Sequence, residues 1–117
     1  MNKSHEYSLY SKISGFIAYT EKYIINNISS NKRHLRIKLI DEIYSLPRYM
    51  FYSSFSKGNV RIKYLTRLQV TISMIDMLFM SLRDVASVSK HNLNCSISCL
   101  GDIKNIVYGW KLKEEKK

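Results

Sequence analysis

The chain has little of what tight turns and cross-links are made from. Its 117 residues include one proline and four glycines, too few for the many sharp turns of a sandwich or barrel. Long helices joined by short connections fit better. Only two cysteines occur, Cys95 and Cys99, four apart and so stacked on one face of a helix. Zinc needs two further ligands, and the three histidines, His5, His34 and His91, show no ligand spacing. A trio of His91, Cys95 and Cys99 is conceivable. The plainer reading is two small, reduced, half-buried thiols, with no metal and no cofactor.

Long hydrophobic runs are also missing. No apolar stretch approaches the roughly 20 residues that span a bilayer. The richest, MIDMLFM, is short and contains Asp76. The opening MNKSHEYSLYSK has no continuous apolar segment of the signal-peptide kind, so a cytoplasmic protein with no membrane partner is expected. Catalytic patterns are absent too. There is no glycine-rich phosphate loop, no carboxylate pair placed across a cleft and no Ser–His–Asp candidate. Asp76 and Asp84 read as surface or capping groups, and the chain reads as a non-enzyme.

Hydrophobic residues make up 45% of the chain, enough to fold as one domain over 1–117, with a frayed tail near 113–117. Four amphipathic segments carry that content. Over 5–27, Tyr10, Ile13, Ile17, Thr20 and Ile24 step by three and four, widened by Phe16 and Tyr23. NNISSN then breaks the pattern, with Ser30 or Asn31 placed to cap the next helix. Over 32–56, Leu35, Leu39, Ile43, Leu46 and Met50 form one row, flanked by Ile40, Tyr44 and Phe51. Pro47 lies inside and predicts a kink near 43–45, or two shorter helices. SKGN at 56–59 is a turn. Over 60–87 the stripe is Leu65, Leu68, Ile72, Ile75, Phe79, Leu82 and Ala86. SVSKHN breaks it, and 92–112 continues with Leu93, Ile97, Leu100, Ile103 or Lys104, Val107 and Trp110. The expected architecture is an all-α, up-down-up-down four-helix bundle.

The scarcest property is negative charge. Nineteen Lys and Arg face nine Asp and Glu, a net charge of +10. Residues 31–67 alone hold nine bases and two acids, and residues 43–75 hold no acid at all. Lys57 and Arg61, and likewise Lys63 and Arg67, are like-charge pairs four apart. On a helix each pair costs about 0.2–0.5 kcal/mol. Lys32, Arg33 and Arg36 gather at a helix start, where the backbone dipole is already positive. With Arg48, this window reads as a phosphate-binding surface, against the plainer alternative of a solvated face. Arg61, Lys63 and Arg67 have no acidic partner in reach along their helix, so their loss is expected to leave the fold intact. Tyr49, Tyr52 and Tyr64 lie among the bases. They are placed to stack on unpaired bases, or else to fill a bundle rim or subunit interface. No RRM signature, GXXG loop or zinc-finger spacing occurs.

Trp110 extends the fourth stripe and would plug one end of the bundle. Gly109 beside it costs a helix about 1 kcal/mol relative to Ala, which implies a close neighbour, either another helix or another subunit.

The stretch VRIKYLTRLQVTISMIDMLFMSLRDVASVS followed by LGDIKNIVYGWK resembles the last two helices of the accessory variability determinant (Avd) proteins of diversity-generating retroelements. That four-helix-bundle superfamily also includes proteins encoded in intervening sequences of bacterial 23S ribosomal RNA genes. The resemblance covers roughly residues 31–113 and is carried by Tyr64–Leu65, Leu82–Arg83 and the terminal Gly109–Trp110–Lys111. Tyr108, where a second glycine is usual, and Pro47 are departures. The resemblance implies a basic homopentameric accessory protein that binds a reverse transcriptase and its RNA and supports mutagenic copying. It also adds Arg83 to the residues expected at nucleic acid. Two other readings stay open: an intervening-sequence bundle without a reverse transcriptase, and a structural bundle meeting an acidic protein or membrane surface.

Overall fold

The computed structural model describes residues 3–117, with side chains from residue 8 onward, so His5 lies outside the described side chains. Four helices carry the chain: α1 (Lys3–Tyr23), α2 (Arg33–Ser54), α3 (Gly58–Ser81) and α4 (Lys90–Glu115). Each packs on its neighbours in the circuit α1–α2–α3–α4–α1. Short links reverse the direction each time, which makes an up-down-up-down bundle of 47 × 22 × 17 Å. No helix among the described residues is long and apolar enough to cross a membrane.

The core is one stripe from each helix. It comprises Leu9, Ile13, Phe16 and Ile24 from the first segment and Leu39, Ile43, Leu46 and Met50 from α2. Leu65, Leu68, Ile72, Ile75 and Phe79 come from α3, and Leu93, Leu100, Ile103, Val107 and Trp110 from α4. Phe16 and Phe79 meet edge to face across the bundle, with ring centres 6.2 Å apart. The buried hydroxyls Thr20 Oγ1 and Ser96 Oγ lie 3.2 Å apart between α1 and α4, so neither is left unsatisfied.

Ile13, Phe16 and Thr20 of α1 and Ile24 just beyond it are buried as expected, but the stripe departs from the expected one at Tyr10 and Ile17. Leu9 and Phe16 are fully buried, whereas Tyr10 is about half exposed and Ile17 only partly covered. Tyr10 rests on the outside against Phe51 instead. Helix α1 also ends before 27. Two single turns of 3₁₀ helix, Ile25–Asn27 and Ser30–Lys32, follow it and bury Ile25 and Ile28. Neither Ser30 nor Asn31 caps α2. Lys32 stands at that position, with no side-chain hydrogen bond to the helix. Pro47 lies within an unbroken α2, so the alternative of two shorter helices does not hold.

Helix α3 stops at Ser81, short of the expected 87. Beyond it Val85 N–H donates to the Leu82 carbonyl and Val88 N–H to the Val85 carbonyl, at 3.1 and 3.0 Å. Bonds of this spacing stack residues three apart, so Leu82, Val85 and Val88 are all buried while Ala86 is exposed. In a continued α-helix Leu82 would stay on the stripe, but Val85 and Val88 would rotate away from the core. Ser89 then caps α4 by accepting from Asn92 N–H at 3.2 Å. The turn between α2 and α3 depends on Gly58, whose φ of +60° is one that side chains rarely adopt.

The departure at Tyr10 has a direct test by urea unfolding. Leu9→Ala should lose about 2–5 kcal/mol. Tyr10→Ala should lose less than about 1 kcal/mol, as exposed sites do. The reverse order would restore Tyr10 to the stripe, as expected from the sequence.

Candidate nucleic-acid interface

The basic residues singled out in the sequence do not converge on one site. Antiparallel α2 and α3 carry them to different places. Lys32, Arg33 and Arg36 lie at the start of α2, beside the end of α3, where Arg83 follows. Lys57 lies at the opposite end. At 1.5 Å per residue the two ends of α3 are roughly 36 Å apart.

The α2–α3 seam near the Gly58 turn is where bases and aromatic rings meet. The Arg67 guanidinium lies over Tyr64 and Tyr49, at 5.6 and 5.9 Å from the ring centres. Lys63 Nζ is 5.4 Å from the Tyr64 ring. Tyr52 tilts against Tyr64 at 5.0 Å, and Tyr49 stacks beside Tyr64 at 6.5 Å. Arg48, Lys63 and Arg67 are exposed. No salt bridge among the described residues involves any of the three. Their charge is therefore uncompensated by nearby carboxylates, and the ring faces hold Arg67 and Lys63 only weakly.

Arg61 is a correction. It is 5% exposed and cannot offer its charge to a polyanion on the surface. It continues the buried α3 stripe one turn before Leu65 and sits over the Trp110 ring at 5.4 Å. Its Nε is 3.8 Å from Glu114 Oε2. Glu114 is buried too, and its Oε1 accepts from Gly58 N–H at 2.9 Å. Its Oε2 is also 3.0 Å from Lys117 Nζ. One carboxylate thus joins the first turn of α3 to the last turn of α4. The hydrogen bond from Gly58, followed by Lys117, holds the Glu114 pKa below its ordinary 4.5, against the opposing pull of burial. The tail is accordingly helical to Glu115 rather than frayed from 113. Glu114 escaped the sequence reading, although it stands one turn beyond Trp110 on the stripe of Ile103 and Val107.

Other expectations fall elsewhere. Arg36 is only partly exposed, and its Nη2 donates to the Ile28 carbonyl at 2.8 Å, so it fastens the α1–α2 link. Arg83 lines a polar cleft with Asp84, Lys90, Leu93 and Asn94, where an acid stands beside it. Lys32, Arg33 and Lys57 are exposed. Asp76 is partly covered, and that burial raises its pKa, opposed by Lys104 from α4. His91 Nε2 lies 3.7 Å from the exposed Cys95 Sγ, while Cys99 is partly buried and its thiol pKa is pushed up by that burial.

Trp110 is buried at the bundle end, as its stripe predicts. Among the described residues none is the close neighbour expected at Gly109, since a Cβ there would meet nothing within 4 Å. Gly109 instead borders an open groove of about 350 Å³ with Ser8, Asn105, Ile106, Trp110 and Lys113.

Fold and surface together define an all-α four-helix bundle with a basic, tyrosine-lined seam. No protein-family model matches the chain, and no curated protein or solved structure does.

The Arg61 correction changes what mutation should do. Arg61→Ala should cost on the order of 2 kcal/mol in urea unfolding, because it leaves a void at the bundle end and uncovers Trp110, while Glu114 keeps Gly58 N–H and Lys117. Lys63→Ala with Arg67→Ala should stay within about 1 kcal/mol. A pH series adds an independent check. The folded pKa of Glu114 lies below the unfolded one, so its contribution is present above pH 4.5 and is lost as pH falls through the folded value. Glu114→Gln should lower stability at neutral pH and flatten that acid limb. An unchanged limb would remove the assignment.

Proposed function

We propose that this protein is a non-enzymatic accessory protein that binds RNA or DNA through its basic α2–α3 seam. The observation that carries this reading is the seam itself. Arg48, Lys63 and Arg67 are exposed beside three tyrosines, with no salt bridge to a carboxylate among the described residues. Fixed positive charge of this kind gains most from phosphates, whose counterions are released on binding. The resemblance to Avd proteins supplies the setting: a diversity-generating retroelement, a reverse transcriptase partner, and assembly as a homopentamer. Subunits would then meet through surfaces away from the cationic seam, since like-charged faces repel. The groove at Gly109 suits such a contact, because a glycine there lets a second backbone approach.

Two measurements test the reading. Binding to nucleic acid should weaken steeply with salt, each neutralised phosphate contributing about −0.9 to the slope of log K against log salt on duplex and about −0.7 on single strands. Lys63→Ala with Arg67→Ala should flatten that slope by about 2 while leaving the melting temperature nearly unchanged. Binding indifferent to salt would exclude the seam as a phosphate surface. For assembly, Gly109→Ala should raise helix stability by up to about 1 kcal/mol. It should also reduce the mass seen by light scattering. A strict monomer at micromolar concentration for the unaltered chain would remove the pentamer.

A further inference from the structure

Which form of nucleic acid the seam takes rests on the reading above and follows from its aromatic rings. Phe55 is 87% exposed and Tyr52 48% exposed. They stand three residues apart, Tyr52 in the last turn of α2 and Phe55 just beyond it, where Phe55 borders the cleft at the Gly58 turn with Lys57 and Lys117. Tyr52 is held on one flank by Tyr64, at 5.0 Å. Tyr64 continues the row to Tyr49, and Arg67 and Lys63 lie over these rings. Arg48 precedes Tyr52 by one helical turn. Arg67 and Lys63 thus lie over the Tyr64 ring, Arg48 is exposed one turn from Tyr52, and the Tyr52 and Phe55 rings are open to solvent.

Duplex makes poor use of this surface. Its base faces are hidden in the stack, so it offers an aromatic ring little but phosphate and sugar. A base pair is otherwise read by a helix or ribbon that enters a groove. The seam is the side of two helices packed against each other within the bundle, and its rings and cations lie along that side. An unpaired strand offers both chemistries at once: phosphates for the cations and π-faces for the rings.

We infer that the seam is a single-strand platform, with unpaired bases stacking on Tyr52 and Phe55 while Arg48, Lys63 and Arg67 hold the phosphates. Stacking needs no hydrogen-bond readout, so recognition is tolerant of sequence.

Fluorescence anisotropy on the full chain tests this, with a labelled oligo-uridylate of about 15 nucleotides and an RNA duplex of the same length as probes. At equal salt the strand should bind at least tenfold more tightly. Tyr52→Ala with Phe55→Ala should weaken strand binding by roughly tenfold or more, about the worth of one stacked base, and duplex binding far less. Tyr52→Phe should bind as the unaltered chain does. Tyr52→Leu keeps an apolar side chain without the ring and should behave as Tyr52→Ala does, with helicity by circular dichroism confirming the fold of each variant. Equal affinity for strand and duplex, or equal losses on both, overturns the platform and leaves the nucleic-acid reading standing. Binding to neither probe overturns both.

Discussion

Burial of one apolar stripe from each helix is the interaction on which the rest of this molecule depends. A fully buried Leu, Ile, Val or Phe side chain contributes about 1.5–3 kcal/mol. A like-charge pair one turn apart on a helix costs only about 0.2–0.5 kcal/mol. One core residue therefore outweighs several repulsive surface pairs. The chain can carry a net charge of +10 on a bundle 22 by 17 Å across without losing its fold. The core makes the basic surface tolerable, and that surface is then free to serve something other than stability.

The same constraint explains the one basic residue that left the surface. Position 61 falls on the buried stripe of α3, so its side chain enters the bundle end whatever its charge. A guanidinium there needs compensation, and Glu114 and the face of Trp110 provide it. Glu114 in turn answers Gly58 N–H, a donor at the start of α3 with no intrahelical partner. The α2–α3 turn and the end of α4 are thus joined at the base of the seam. That junction sets where Tyr64 and Arg67, on the next turns of α3, stand against Tyr49 and Tyr52 of α2.

The seam shows how packing sorts residues of the same type. Tyr49 and Tyr64 are partly covered, while Tyr52 and Phe55 stand well out. The cations divide likewise. Arg36 is bound to the Ile28 carbonyl and Arg61 lies beside Glu114, whereas Arg48, Lys63 and Arg67 are exposed and make no salt bridge among the described residues. One continuous basic window in the sequence becomes a cationic seam, a structural arginine and separate charges at the far end of the rod.

The sequence by itself determined four amphipathic helices, from apolar residues three and four apart, and its short connections made neighbouring helices antiparallel. It also determined most of the core of α2, α3 and α4, and the burial of Trp110. The start of the α1 stripe was open, since Leu9 and Tyr10 fit neighbouring stripes and only contact with the other helices chooses between them. The early end of α3 was hidden as well: Leu82, Val85 and Val88 suit a helix or a string of turns locally, and the need to close the bundle end decides. What only the tertiary structure decided is which charges are spent inside. Arg61 and Glu114 lie far apart along the chain, and no spacing rule links them. Their pairing exists because antiparallel packing brings the first turn of α3 beside the last turn of α4, and a buried cation is stable only where a carboxylate and a ring are already waiting.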